Sequence, residues 1–400
     1  MLKRLNQSEF AQRSQSTRVV DPFLAMDILA AATAREARGL PTYHLEVGQP
    51  GARLPEAVVD SASKSLKSDP LGYTASRGIR PLRERLSALY EERYGLDVDP
   101  SRFLITTGSS AAFSLAFLLL CDPGDRILLP RPGYPAYRNI ARALGLVPVE
   151  VDLLSSNDWT ITCAQINEAQ REGPIRCMIL ASPDNPTGSV LSPQTMQQIV
   201  SCCEDAGIWF ISDEIYHGLN FKGNDVCALT FDDDALIINS FSKYFCMTGW
   251  RIGWMVLPER LVDRADRFAQ NLFICAPALS QKAALAALDE GPAFERVKAG
   301  YSTNRARLKS LVSSLGIDHG PSPDGAFYMY LPVEKFLRPG ETSQELCGQL
   351  LGETGVAITP GRDFDPGRGD RWVRISYAGK KETIATAADL MTDWLQRRAV

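Results

Sequence analysis

Short apolar runs alternate with longer amphipathic stretches from about residue 100 to residue 256. Runs of this length that are apolar on both faces predict buried strands, and the stretches between them predict helices. The predicted strands are 103–107, 126–129, 147–151, 175–181, 208–212, 235–239 and 252–256, with helices at 109–121, 134–144 and 193–206. Such alternation is typical of a mostly parallel sheet covered by helices.

The pattern changes outside this region. A helix is predicted at 27–38, and an α+β pattern follows residue 290, with helices at 293–315 and 383–397 and strands at 326–331, 356–358 and 373–377. We therefore predict an α/β protein with two parts. A large domain holds a mostly parallel seven-stranded sheet covered by helices, and a smaller domain is α+β. The expected boundaries are 1–49 for an N-terminal arm with part of the small domain, 50–290 for the large domain and 291–400 for the small C-terminal domain.

Composition excludes several classes of protein. The chain has 43 Lys and Arg against 47 Asp and Glu, a formal net charge of −4, so we expect no nucleic-acid partner. The longest nearly apolar run, 111–121, is far shorter than the roughly 20 residues of a membrane-spanning helix, so we expect no membrane partner. Nine scattered cysteines indicate reduced thiols and a cytoplasmic location. The three histidines, His44, His217 and His319, have no metal-ligand spacing.

Glycines and polar residues follow four of the predicted strands, in the segments 108–110, 185–188, 213–216 and 240–243. In an open α/β sheet, ligands bind beyond the carboxyl ends of the strands. Gly108 begins a helix there, so the free backbone donors of Ser109 and Ser110 could bind an anion, although most glycines at such a junction only make a turn. Arg251 could add a fork of donors to a phosphate, or pair with an acid at the surface.

Asp213 and Lys243 could each have either a structural role or a role in catalysis. A carboxylate after an apolar strand caps a helix or partners a cation such as a protonated ring nitrogen. A lysine at a sheet end is solvated, or it is desolvated and attacks a carbonyl. With a ring-hydroxyl donor, Tyr216 or Asn185, the four segments supply what pyridoxal phosphate (PLP) requires. We therefore expect PLP as cofactor and no metal.

Six motifs carry a family resemblance: Ser-Pro-Asp-Asn-Pro-Thr-Gly at 182–188, Ser-Asp-Glu-Ile-Tyr at 212–216, Ser-Phe-Ser-Lys at 240–243, Met-Thr-Gly-Trp-Arg-Ile-Gly at 247–253, Gly-Ala-Phe-Tyr at 325–328 and Val-Arg-Ile-Ser-Tyr at 373–377. In this order and spacing they resemble the class I/II aminotransferases of PLP fold type I. Within these, the chain is similar to the bacterial branch that contains aspartate and aromatic aminotransferases. The resemblance runs from about residue 20 to the C-terminus.

The resemblance implies a role for each site residue. Lys243 resembles the lysine that forms the Schiff base and moves the proton, and Asp213 the partner of the pyridine nitrogen; with Tyr216 these are the expected catalytic residues. Asn185 and Tyr216 resemble the pair that bonds the ring oxygen. The other expected cofactor residues are Tyr134, which resembles the stacking ring, the phosphate-cup positions Ser109, Ser110, Ser240, Ser242 and Arg251, and Tyr73, which resembles a tyrosine that reaches the neighbouring subunit's phosphate.

Substrate recognition is implied in part. Arg374 resembles the fork that binds the substrate α-carboxylate, with Gly48 and Asn185 beside it. The chain departs from the family at 48–51, where Gly-Gln-Pro-Gly stands in place of Gly-Glu-Pro-Asp. Phe23 and Leu24 should present apolar surface to the substrate side chain, which favours an aromatic or aliphatic amino donor. Candidates for a second arginine, which a dicarboxylate requires, are Arg18, Arg77, Arg131 and Arg362.

The expected function is PLP-dependent transfer of an amino group from an L-amino acid, aromatic, aliphatic or aspartate-like, to a 2-oxo acid. The alternatives are a PLP-dependent β-lyase or decarboxylase on the same fold, and a non-catalytic PLP-binding regulator. The regulator is disfavoured because only about 20 residues precede the family region. The resemblance also implies a homodimer with a shared active site, and His217 is expected to be structural.

Overall fold

The computed structural model describes residues 20–317 and 320–398. Its strands in chain order are β1 (Tyr43–His44), β2 (Phe103–Thr106), β3 (Arg126–Arg131), β4 (Val147–Asp152), β5 (Ile175–Ala181), β6 (Trp209–Asp213), β7 (Leu236–Ser240), β8 (Gly253–Val256), β9 (Tyr328–Pro332), β10 (Val356–Ala357), β11 (Thr359–Pro360) and β12 (Trp372–Ser376). The seven strands predicted for the large sheet are all present, with ends that differ from the prediction by at most two residues.

The large sheet has the strand order β2-β8-β7-β6-β5-β3-β4. Strands β7, β6, β5, β3 and β4 are parallel, whereas β8 is antiparallel to both of its neighbours. Strand β8 follows β7 through a loop without a crossover helix, and such a direct return can only produce an antiparallel pair. The predicted mostly parallel, seven-stranded sheet is confirmed.

The α-helices are Leu24–Glu36, Glu56–Ser68, Arg80–Tyr94, Ser109–Leu120, Pro135–Ala143, Cys163–Glu172, Pro193–Asp205, Glu259–Leu272, Ala278–Ala287, Gly291–Ser314, Ser343–Thr354 and Lys381–Gln396. Several were not predicted from the sequence because their buried stripe is narrow. Helix Glu56–Ser68 buries only Val58 and Ala62, and helix Cys163–Glu172 buries only Ile166 and Ala169. So few apolar positions give a weak period in the sequence.

Both faces of the large sheet are buried. In β2, Phe103 and Ile105 pack into one apolar cluster, and Leu104 between them packs into a second. Alternate side chains of a strand point to opposite faces, so the two clusters lie on the two sides of the sheet. The sheet is therefore a rigid central layer whose carboxyl ends hold the polar segments in place.

The C-terminal part contains a three-stranded antiparallel sheet with the order β11-β12-β9. Strand β1 pairs in parallel with β10, Tyr43 lying opposite Val356, so the segment just before residue 49 joins the C-terminal elements. The expectation that residues 1–49 contribute to the small domain stays a prediction. The division at residues 50 and 291 stays a prediction.

Candidate active site

A cavity of about 240 Å³ lies beyond the carboxyl ends of the central strands. Of the thirteen residues predicted for the site, eleven line it: Gly48, Ser109, Ser110, Tyr134, Asn185, Asp213, Tyr216, Ser242, Lys243, Arg251 and Arg374. These residues are distant in sequence, and they meet because parallel strands bring their carboxyl ends to one edge of the sheet. The other two, Ser240 and Tyr73, lie elsewhere.

Asp213 ends strand β6 and is 3% exposed. One carboxylate oxygen accepts the backbone N–H of Ile215 at 3.1 Å, and the other accepts the hydroxyl of Tyr137. Burial raises the pKa of Asp213 to about 7, against the opposing effect of the Tyr137 hydrogen bond. A cation in the cavity would stabilise the ionised carboxylate. Tyr137 was not predicted from the sequence; its only signal is a position three residues beyond Tyr134.

Lys243 is half-buried, and its Nζ donates to the carbonyl oxygen of Gly48 at 2.7 Å. Burial lowers the pKa of Lys243 to about 7, with the positive charges of Arg374 and Arg251 acting in the same direction. A substantial fraction of the amine is therefore unprotonated at neutral pH and able to attack a carbonyl carbon.

The turn that bears Lys243 is held by Ser240. Its Oγ accepts the backbone N–H of Ser242 at 3.0 Å and donates to the carbonyl of Ile252 at 3.1 Å. Ser240, predicted as a phosphate-cup residue, is therefore buried behind the cavity wall. Ser242, two residues further on, lines the cavity.

An anion cradle forms where helix Ser109–Leu120 begins. The first backbone N–H groups of a helix have no acceptor within it, and they carry the positive end of its dipole. Gly108 precedes them with a φ of +84°, and a Cβ on it would lie 2.6 Å from Arg251 Nη2. The glycine is required both for its backbone conformation and for the close approach of the guanidinium. Helix terminus and Arg251 together suit a phosphate.

Arg374, on strand β12, is buried between aromatic rings. Its Cζ lies 4.3 Å from the ring centre of Tyr328 and 4.6 Å from that of Phe364. Nη1 donates to Asn185 Oδ1 at 2.9 Å, and Nη2 donates to the carbonyl of Glu46 at 2.5 Å and to Thr359 Oγ1 at 3.3 Å. The buried Nε has no partner within the described part of the chain. A buried guanidinium with an unpaired donor suits a carboxylate from a ligand.

Aromatic hydroxyls complete the wall. The hydroxyls of Tyr216 and Tyr328 lie 2.9 Å apart, and a Cβ on Gly48 would lie only 1.6 Å from the Tyr328 oxygen. The ring of Tyr134 meets that of Tyr137 edge-on at 5.3 Å. Tyr328 belongs to a motif of the sequence, but no role was predicted for it.

The mouth of the cavity is apolar, as predicted, but with a different residue set. Phe23 lines it, whereas Leu24, the first residue of the helix that follows, does not. Ala25 and Met26 take the place expected for Leu24.

None of the described candidates for a second arginine lines the cavity. Arg77 donates to the carbonyl of Ser101, Arg131 pairs with Asp152, and Arg362 pairs with Asp370. The fourth candidate, Arg18, lies outside the described residues, as does His319.

Two other residues singled out in the sequence also lie outside the cavity. Tyr73 is 84% exposed on this chain. His217 is buried against Tyr94, with 2.7 Å between its Nδ1 and the tyrosine hydroxyl.

Across residues 20–317 and 320–398, no group of three or more His, Cys, Asp or Glu side chains is placed to hold a metal ion. Within those same ranges, no helix has the length and apolar character that crossing a membrane requires.

Comparisons with known proteins agree with this geometry. A family model described as aminotransferase class I and II matches residues 42–390. The chain is 41% identical over 380 residues to valine–pyruvate aminotransferase of Mycobacterium tuberculosis, and the matched region covers 94% of this chain and 97% of that protein. A crystal structure of an aminotransferase from Mycobacterium tuberculosis matches with a TM-score of 0.92 and 40% identity, covering 96% of this chain and 99% of the other. Aspartate aminotransferase from Thermus thermophilus with maleate matches with a TM-score of 0.88 and 27% identity, covering 95% and 99%.

The fold and the site thus define an aminotransferase of PLP fold type I. The chain belongs to the class I and II aminotransferases, enzymes that transfer an amino group. The predicted family, fold and reaction type are confirmed. The relatives do not favour the β-lyase, decarboxylase or regulator alternatives.

Proposed function

We propose that this aminotransferase uses PLP and moves the amino group of an L-amino acid with an apolar side chain onto a small apolar 2-oxo acid such as pyruvate. The observation that carries the proposal is the meeting, in one cavity, of a lysine, a buried carboxyl, an anion cradle and a buried arginine. The residues fit the cofactor. Among the described residues Asp213 is bonded only by Tyr137 and the backbone of Ile215, part of the Lys243 amine is unprotonated at neutral pH, and Gly108 leaves space for an anion beside Arg251.

Each residue then has a chemical task. PLP, when bound, supplies an electron sink for a bond broken at the substrate α-carbon. Asp213 holds the ring nitrogen in its protonated form, because an ionised buried carboxylate is stabilised by a cation. Lys243 Nζ would make the covalent attachment and, once released, would take the proton from the substrate α-carbon and deliver it to the cofactor carbon that receives the amino nitrogen. The helix terminus and Arg251 bind the phosphate.

Arg374 binds the α-carboxylate of the substrate. Its Nε, which has no partner among the described residues, and the second N–H of Nη1 remain available as donors, whereas Nη2 donates to the Glu46 carbonyl and to Thr359 Oγ1. The aromatic rings on either side keep water from competing. Asn185 Oδ1 fixes Nη1 and so orients the guanidinium. This arrangement serves the amino donor and the oxo-acid acceptor equally, because both carry a carboxylate next to the reacting carbon.

The substrate side chain is proposed to be apolar for two reasons. The described cavity lining includes Phe23, Met26 and Val47, and its three basic side chains, Lys243, Arg251 and Arg374, all have tasks already. A second carboxylate would therefore be desolvated without a partner, which is costly. The named activity of the valine–pyruvate relative, at 41% identity, points in the same direction.

The test is the visible absorption of the PLP-loaded protein during single half-reactions. Valine, alanine, phenylalanine and aspartate are added one at a time without an oxo acid. We expect valine and alanine to bleach the yellow colour and pyruvate to restore it, with aspartate far less effective. Lys243→Ala serves as the control and should show no turnover. A protein that stays colourless after PLP is supplied would overturn the proposed cofactor. A preference for aspartate over valine and alanine would overturn the proposed substrate class.

We also propose a homodimer in which Tyr73 reaches the partner's phosphate cradle. Tyr73 is the most exposed large apolar side chain in the described residues, and Leu66 and Ile274 add further exposed apolar surface. The exposed ring of Tyr73 is accessible to a second subunit, as the proposal requires.

Hybrid dimers give the test for a shared site. Subunits carrying Lys243→Ala are refolded or co-expressed with subunits carrying Tyr73→Phe. A tyrosine acting in the partner's site gives hybrids with one intact site, hence activity well above that of either parent. Activity no greater than the average of the two parents would show that Tyr73 does not act across the interface.

A further inference from the structure

The segment 21–25, called the strap below, crosses the cavity mouth and is anchored at both ends. At its first end, the carboxylate of Asp21 pairs with Arg142, and its carbonyl accepts from Asn139 Nδ2 at 3.3 Å. Both partners lie on helix Pro135–Ala143, which Tyr134 precedes. Between the anchors, the ring of Phe23 meets the ring of Tyr134 edge-on at 6.1 Å.

The second anchor is Asp363. Its Oδ1 accepts the backbone N–H of Leu24 and its Oδ2 that of Ala25, both at 3.0 Å. These are first-turn donors of helix Leu24–Glu36, and the residue before that helix, Phe23, provides no side-chain cap. A residue 338 positions away in the sequence thus caps the helix. The contact is charge-assisted and favoured by the helix dipole.

Asp363 also sits beside the carboxylate-binding arginine. The next residue, Phe364, packs its ring 4.6 Å from Arg374 Cζ, and the Asp363 carbonyl accepts from Arg138 Nη2 at 3.3 Å. Asp363 is 3% exposed, so water does not compete for its two acceptor oxygens. The strap is therefore held at a fixed distance from the point where the substrate carboxylate binds.

We propose that Asp363 is a positioning residue for side-chain specificity. By capping helix Leu24–Glu36, Asp363 fixes Phe23 over the cavity, and so favours amino donors with a branched apolar side chain over alanine. This inference rests on the proposed function. The selected ligand class is an aliphatic amino acid whose side chain reaches from the α-carbon to Phe23. Alanine is too short to use that contact, so it serves as the internal reference.

The test uses Asp363→Asn in the PLP-loaded full-length enzyme, with valine and alanine as donors. The amide presents N–H groups to a backbone N–H, so one of the two hydrogen bonds is lost. Loss of one charge-assisted hydrogen bond corresponds to roughly a tenfold change in an equilibrium. We expect the KM for valine to rise about tenfold, with the KM for alanine, both kcat values and the visible spectrum unchanged.

Asp370→Asn is the matched control, since this carboxylate lies in the same region but pairs with Arg362 at the surface. A second measurement separates positioning from general damage. If Asp363 acts through Phe23, then Asp363→Asn should add nothing to the valine KM of Phe23→Ala, because coupled residues are non-additive. Should Asp363→Asn fail to fold, Asp363→Ser keeps one acceptor and is measured in the same way.

The outcomes separate the two levels of inference. A wild-type enzyme that transaminates neither valine nor alanine contradicts the proposed function itself. A wild-type enzyme that uses both, with Asp363→Asn raising the two KM values equally or lowering kcat, contradicts the specificity role alone. Full additivity of the Asp363 and Phe23 substitutions contradicts it as well.

Discussion

Replacing Tyr137 by Phe should move the pH dependence of PLP binding to higher pH. The Tyr137 hydroxyl donates to Asp213, whose pKa burial has raised to about 7. A donor to a carboxylate stabilises the ionised form and lowers the pKa, so its removal raises the pKa further. A hydrogen bond to a charged group contributes about 1.5–3 kcal/mol, and 1.36 kcal/mol corresponds to one pKa unit. The expected rise is therefore about one to two units.

The sign of the effect on binding follows. Asp213 must be ionised to pair with a protonated ring nitrogen, so wild-type affinity should weaken as the pH falls through about 7. In Tyr137→Phe, the same loss should begin about one to two units higher. At pH 7 the variant should bind PLP roughly five- to fiftyfold more weakly, because the ionised fraction of Asp213 falls by that factor, and at high pH the two proteins should converge.

The assay is the dissociation constant for PLP, measured by visible absorption or fluorescence across pH 6 to 9. Tyr134→Phe is the matched control, since that tyrosine lines the same cavity and donates no hydrogen bond to Asp213 among the described contacts. The titrations of PLP itself are common to all three proteins and cancel in the comparison. A Tyr137→Phe curve that is weaker at every pH but not displaced would refute the reasoning.

Two further substitutions test other parts of the site. Arg374→Lys replaces a planar fork by a point charge, so the KM of amino donors should rise roughly 30-fold, for a loss of about 2 kcal/mol, with the PLP spectrum unchanged. Arg362→Lys, at the surface, is the control and should leave the KM unchanged. Equal increases of KM in the two variants would contradict the assignment of Arg374. Gly108→Ala places a Cβ 2.6 Å from Arg251 Nη2 at a φ of +84°, so equilibrium dialysis should show PLP affinity falling at least tenfold. Gly300→Ala, with open space around it, is the control, and unchanged affinity in Gly108→Ala would refute the cradle.

Residues at strand ends were predictable because their positions depend on local pattern. An apolar run followed by Asp213 or Lys243 shows where a strand stops, and the parallel sheet then gathers those ends without further information. The same logic cannot distinguish Ser240 from Ser242. Both lie in one short turn, and only the folded chain shows that the first faces inward and the second faces the cavity.

Residues that act through tertiary contact escaped prediction. Tyr137 matters because its hydroxyl meets Asp213, which is 76 positions away, and Asp363 because it caps a helix 338 positions away. Neither distance leaves a signature in a single sequence. The assignment of Leu24 to the mouth was wrong for a related reason: Leu24 begins a helix, and the side of its first turn that faces the cavity depends on contacts with residues distant in sequence.

The charges around the cavity argue for the substrate class independently of its shape. Arg251 and Arg374 are cationic side chains, Asp213 is negative when paired, and Lys243, whose pKa is lowered to about 7, carries only part of a positive charge. A bound phosphate brings about two negative charges, the substrate α-carboxylate one more, and a protonated ring nitrogen one positive charge. The helix terminus at Gly108 contributes about half a positive charge. The filled site is then close to balance with one substrate carboxylate. A second carboxylate would leave a whole negative charge buried without a partner among the described residues, and this supports the proposed apolar amino donor.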